Sequence, residues 1–156
     1  MDLSPEVTAR RAELEREAPI AARSTWMRTR LRGVEVVFLC GTIGAEFDAW
    51  QRRLSVTSAA DALLSQQIGL DAVEKVMDEL ENEVREEVEG EGKREEGRGK
   101  RLMPRRSPGY GDLPLSLSRK IISELDATKK IGVSITDSDL LVPSKSVTAI
   151  CEIEEV

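Results

Sequence analysis

A chain of 156 residues has room for one domain with a modest core, because burial becomes efficient only above roughly 100 residues. Its hydrophobic fraction of 40% and charged fraction of 33% assign part of that length to solvated surface. A formal net charge of −6 argues against general nucleic-acid affinity, and the absence of histidine excludes a Ser-His-Asp triad along with the commonest general base and metal ligand.

In chain order, Ser4 before Pro5 and Glu6 reads as an N-cap with proline at the first helical position, opening a charged helix through about Glu17 that Pro19 ends. Met1 to Pro5 lacks the basic and apolar segments of a secretory signal, and no run of about 18 apolar residues occurs, so a cytoplasmic location and no membrane partner are expected. Residues 1–33 are read as a short N-terminal helical extension to a domain spanning 34–156. That domain begins with Val34 to Cys40, a β-branched, apolar run followed by Gly41, which is the pattern of a buried central strand.

After Gly44 a short helix is predicted through Trp50 and Arg53, and Ser58 with Asp61 three residues later opens a longer one. Along it Leu63, Leu70, Val73, Met77, Leu80, Val84 and Val88 recur at helical spacing and define an apolar stripe, with Gly69 a point of bending or interruption. Between Asp78 and Glu96 there are ten acidic residues and three basic ones, and glycine becomes frequent, which predicts fraying into a mobile charged loop at about 89–104. Arg98, Lys100, Arg101, Arg105 and Arg106 then form a basic run, a solvated linker or a docking surface.

Order returns with a helix from Pro114 to about Leu125, carrying Leu117, Ile121, Ile122 and Leu125 on one side. Val133 and Ile135, then Val147, Ala149, Cys151 and Ile153, alternate with polar residues as strands do, and Pro143-Ser144-Lys145 makes a turn between them. The fold class is therefore α+β, a mixed or antiparallel sheet with packed helices. Cys40 and Cys151 have no partners at metal-ligand spacing and read as buried thiols, so no metal site is expected. Two glycines at Gly41-Thr42-Ile43-Gly44 with no P-loop lysine make a poor phosphate site.

The densest chemistry lies in Arg105-Arg106-Ser107-Pro108-Gly109-Tyr110-Gly111-Asp112. It combines cations, glycines that allow close approach, and the chain's single tyrosine, a set suited to a charged, partly aromatic ligand. Composition alone also fits a surface turn in which the tyrosine packs on its own loop.

The motif Arg-x-x-Pro-Gly-Tyr at Arg105 to Tyr110 resembles the signature of the activation (reactivation) region of vitamin B12-dependent methionine synthase. The following Gly-Asp-Leu-Pro, the helix Leu117 to Leu125, and the segments Ile131 to Ser138 and Pro143 to Ile150 extend the resemblance, which is best to stand-alone bacterial relatives. Gly41 to Phe47 and Ser58 to Val76 resemble the strand-helix-helix part of the same relatives, with Glu74 at a ligand-facing carboxylate position.

The resemblance implies an activation-domain-like fold and an S-adenosylmethionine site formed by Arg105, Ser107, Gly109, Tyr110 and Glu74, with Arg105 on the methionyl carboxylate. It implies no catalytic residue of the chain's own. Cobalamin would be met only through a partner, either a corrinoid-binding methyltransferase protein or a methionine synthase lacking its own activation region, and a flavodoxin-type protein is a candidate reductant. Two departures stand out: the region before Val34 does not resemble the family's extended N-terminal arm, and without histidine the chain has no corrinoid-binding loop of its own. The alternative reading is a non-enzymatic interaction protein that kept the fold and lost the ligand.

Overall fold

A computed structural model describes residues 4–94 and 99–156. Helix α1 (Pro5–Glu17) starts where its N-cap predicts, with Ser4 Oγ accepting from Val7 N at 3.2 Å. Strands β1 (Arg23–Leu31) and β2 (Val34–Thr42) form a hairpin whose two turn residues, Arg32 and Gly33, both have positive φ, as a tight primed turn requires. Helices α2 (Ala45–Thr57) and α3 (Ala59–Arg94) follow, then β3 (Lys100–Leu102), α4 (Leu117–Leu125), α5 (Ala127–Ile131), a short β4–β5 pair (Ser134–Ile135 and Leu141–Val142) and β6 (Ser146–Glu155). The main sheet has the order β1-β2-β6-β3 and every pairing in it is antiparallel.

Helices cover both faces of that sheet, which explains the unbroken apolar run of β2. Val37 and Leu39 of β2 and Ala149, Cys151 and Ile153 of β6 pack on Met77, Leu80, Val84 and Val88 of α3. Val36, Phe38, Cys40 and Ile150 pack on the other side against Leu117, Ile121, Ile122 and Leu125 of α4. A third cluster joins Leu14 of α1, Phe47 and Trp50 of α2, and Ile68 and Val73 of α3.

Three expectations are corrected. Residues 1–33 are not simply a helical extension, because Arg23–Leu31 forms the edge strand β1; its polar residues are tolerated there because an edge strand is covered less than a central one. The charged segment at 89–104 is not a continuous loop: α3 runs to Arg94 and β3 pairs with Glu155, Glu154 and Ile153 of β6. Residues 95–98, including Arg98, lie outside the described residues. The apolar stripe of α3 also shifts, since Leu63 and Leu70 are exposed while Ile68 and Val76 are buried. The first turns of α3 face α1 and α2 rather than the sheet. Cys40 and Cys151 lie on opposite faces of the sheet, and burial pushes each thiol up to about 12.

Gly69 does not interrupt α3. A Cβ there would sit 2.7 Å from Phe47 Cε1 and 2.9 Å from Lys145 Cε, so the glycine admits two large side chains against the helix. Gly90, in the same helix, would meet nothing within 4 Å. Overpacking costs about 1–3 kcal/mol, against roughly 1 kcal/mol gained by alanine over glycine in a helix. Gly69→Ala is thus expected to lower the urea-unfolding free energy and Gly90→Ala to raise it by about 0.5–1 kcal/mol. Equal shifts from the two would remove the steric role of Gly69.

Candidate functional site

The chain leaving β3 stays beside β6. Met103 N donates to Glu152 O at 2.8 Å, and Arg106 and Ile150 exchange backbone hydrogen bonds of 2.8 and 2.9 Å, so residues 103–106 continue the pairing past Pro104. This fixes where Arg105 and Arg106 emerge. Arg105 turns toward α3, whereas Arg106 meets Asp112 and, at 3.7 Å, Glu152.

The Arg105 guanidinium is gathered by three carboxylates of α3: Nη1 lies 2.9 Å from Asp78 and 3.0 Å from Glu81, and Nη2 lies 2.8 Å from Glu74. Glu81 also accepts from Arg85 at 2.8 Å. The inner pair is well covered, with side-chain exposures of 18% for Arg105 and 15% for Glu81, while Glu74 and Asp78 remain 61% and 65% exposed. Burial alone would raise the Glu81 pKa, but hydrogen bonds from Arg85 and Arg105 outweigh it and hold the carboxyl below its usual range. For Arg105 burial likewise opposes the charge, and its bonds to Asp78 and Glu81 overcome it, so the guanidinium is a permanent cation.

The following loop closes on itself. Gly109 N donates to Leu113 O at 2.9 Å, Leu113 N to Tyr110 O at 3.2 Å, and Tyr110 N to Ser107 O at 3.3 Å. Gly109 adopts φ 94°, and a Cβ there would lie 3.3 Å from Leu115 Cδ1, so the turn favours glycine on both counts. Ser107 and Pro108 wall a cavity of about 390 Å³ against β6, with Leu115, Ser118, Leu141 and Thr148 opposite them. Tyr110 is 75% exposed on the outside of the loop.

Of the residues singled out from the sequence, Arg105 and Glu74 are thus in direct contact, Ser107 faces the cavity, Gly109 shapes the turn, and Tyr110 stands apart in solvent. Asp78 and Glu81 were passed over as part of an acidic run. Their signal was spacing: Glu74, Asp78 and Glu81 follow one another at i, i+4 and i+7, one stripe of a helix. Among the described residues no group of three or more His, Cys, Asp or Glu is placed to hold a metal, and no helix is long and apolar enough to cross a membrane.

The fold, a four-stranded antiparallel sheet between one long helix and a shorter helical pair, is that of a methionine synthase reactivation domain. The solved structure of the MetH reactivation domain bound to AdoHcy is similar to this chain with a TM-score of 0.65, at 20% identity over 76% of its length. The chain spans 39% of that structure's length. No protein-family model and no curated protein matches it in sequence.

Arg105→Ala would leave Glu81 with Arg85 alone and Glu74 and Asp78 with no cation between them. Loss of charged hydrogen bonds of this kind costs about 1.5–3 kcal/mol. Because the folded-state pKa of Glu81 is depressed, its stabilisation is present above the unfolded value near 4.3 and is lost as pH falls through the folded value. The destabilisation by Arg105→Ala, read by urea unfolding, is therefore expected to be largest near pH 7 and to shrink below about pH 4. A loss that does not vary with pH would assign Arg105 a packing role only.

Proposed function

We propose that the chain is an S-adenosylmethionine-binding activation subunit that supports reductive remethylation of a corrinoid on a partner protein. The carrying observation is the likeness in fold to the reactivation domain bound to AdoHcy; the Arg-x-x-Pro-Gly-Tyr loop at Arg105 to Tyr110, tied to β6 through Arg106 and Ile150, supports it.

The electrostatics favour this ligand class. S-adenosylmethionine carries an ammonium, a sulfonium and a carboxylate, a net positive charge at pH 7. Glu74 and Asp78, held together by Arg105 yet mostly exposed, offer a negative surface to those cationic groups. Ser107 and Pro108 bound a cavity with both apolar and hydroxyl walls, which suits a nucleoside. When bound, the ligand supplies an electrophilic methyl group, and the chain's part is to bind and orient it. Cobalamin is reached only through the partner, in the cytoplasm, with a flavodoxin-type protein as the candidate reductant.

One observation favours the second reading, an interaction protein that kept the fold and lost the ligand: the guanidinium that the resemblance assigns to a ligand carboxylate is already met by three carboxylates of the chain itself.

Isothermal titration calorimetry separates the two. Saturable binding is expected, tighter for S-adenosylmethionine than for S-adenosylhomocysteine, which lacks the sulfonium charge. Glu74→Gln is expected to narrow that preference by about twofold to fivefold, the worth of an exposed charge pair. Arg105→Ala is expected to weaken both ligands, since it disperses the carboxylates. No heat with either ligand at near-millimolar concentration would leave the interaction protein.

A further inference from the structure

We propose that the open edge of β1 pairs antiparallel with the β1 strand of a second copy of this chain, joining the two four-stranded sheets into one. Strand β1 ends the sheet order, and among the described residues its outer backbone groups bond to no other part of the chain. An open edge of nine residues is a template for pairing unless charge or brevity protects it. The protection here is incomplete. Trp26 and Met27 lie half-buried at the middle of the strand, and Arg28 beside them is already paired with Glu35 and Glu91.

Symmetry narrows the register. A closed pair has a twofold axis, and directly opposed residues share a face, so the axis passes through a residue paired with its own copy. Centring on Met27 pairs all nine residues of the strand. Arg23 then faces Leu31, Ser24 faces Arg30, Thr25 faces Thr29 and Trp26 faces Arg28, so no like charges are directly opposed. Threonine against threonine and arginine against tryptophan are both favourable cross-strand pairs. Centring on Arg28 opposes two guanidiniums, and centring on Trp26 leaves Arg30 and Leu31 opposite residues outside the strand.

The same register matches charge across the edge. Trp26 packs in the α3 layer and Arg28 meets Glu91 of α3, so by alternation Arg30 also points to the α3 side, where it donates only to Gly33 O. Gly41, opposite Ser24 in the hairpin, lets α3 come down close to the sheet, since a Cβ there would lie 2.7 Å from Met77 Sδ and 2.9 Å from Val76 Cγ1. Beside the edge this leaves a groove of about 310 Å³ lined by Arg23, Ser24, Val76, Glu79, Leu80 and Glu83. Glu79 and Glu83 are exposed and, unlike Glu74, Asp78 and Glu81, pair with no arginine among the described residues. The register sets the second copy's Arg30 opposite Ser24, about 4.8 Å further out, with its side chain directed at that groove and its two carboxylates. The twofold axis repeats the contact. An unrelated extended peptide satisfies the backbone edge but lacks this exchange of charge, which singles out a second copy as the occupant. Arg105 and its loop sit beside β6, two strands away, so the pairing is independent of the ligand-binding reading.

Sedimentation equilibrium on the full chain tests the pairing with Arg30→Glu, with the double variant Glu79→Lys and Glu83→Lys, and with an equimolar mixture of the two. Wild type is expected to show a monomer–dimer equilibrium. Each variant alone sets like charges together at both contacts and is expected to weaken dimerisation by about tenfold. In the mixture swapped charges face swapped charges and native face native, so dimerisation is expected to return to the wild-type level. All three positions are exposed, and unchanged circular dichroism establishes that the variants are folded. A wild type that stays monomeric at near-millimolar concentration, or a dimer that neither variant weakens, overturns the proposal.

Discussion

Strands β2 and β6 are covered by helices on both faces, and every other placement in the molecule answers to that constraint. A strand buried on both sides has no solvent for its polar groups, so each hydroxyl it carries must find a partner inside. Thr148 pairs with Ser118 of α4 at 3.0 Å, and Thr42 pairs with Ser146 at 2.8 Å. Those bonds and the two apolar layers fix α3 and α4 relative to the same pair of strands. The loop between residues 103 and 113 inherits its position from β6 through Arg106 and Ile150, so Arg105 reaches α3 without any loop contact of its own to guide it.

Elements whose burial is simple were legible in the sequence. The apolar run of β2, the N-cap at Ser4 and the one-sided pattern of α4 each reflect a single local rule, and each forms as read. Strand β1 was missed because an edge strand in contact with solvent need not look apolar, and its Arg32-Gly33 turn lacks the Asn-Gly or Asp-Gly signal of a primed hairpin. The end of α3 was missed because glycine and charge density lower helix propensity locally, while Val84 and Val88, buried against the sheet, hold the helix from outside. Tertiary packing outweighed propensity there.

The site was legible in part for a similar reason. Arg105 and Glu74 lie 31 residues apart and meet at 2.8 Å, a contact that the motif and the helix suggest only when taken together.

On α3 two stripes run side by side. Val73, Met77, Leu80 and Val84 face the core, and the residue after each, Glu74, Asp78, Glu81 and Arg85, lies about 100° further round the helix. The charged stripe therefore borders the core rather than pointing into open solvent, and its inner members are desolvated enough for their pairing to matter. The shifts move Arg105 and Glu81 away from neutrality, with the guanidinium pushed up and the carboxyl pulled down, and the thiols of Cys40 and Cys151 rise to about 12. Groups that exchange protons in catalysis are tuned toward the working pH instead. Charges fixed across the physiological range hold Arg105 and the acidic stripe of α3 together at any pH where the chain is folded and its carboxylates are ionised.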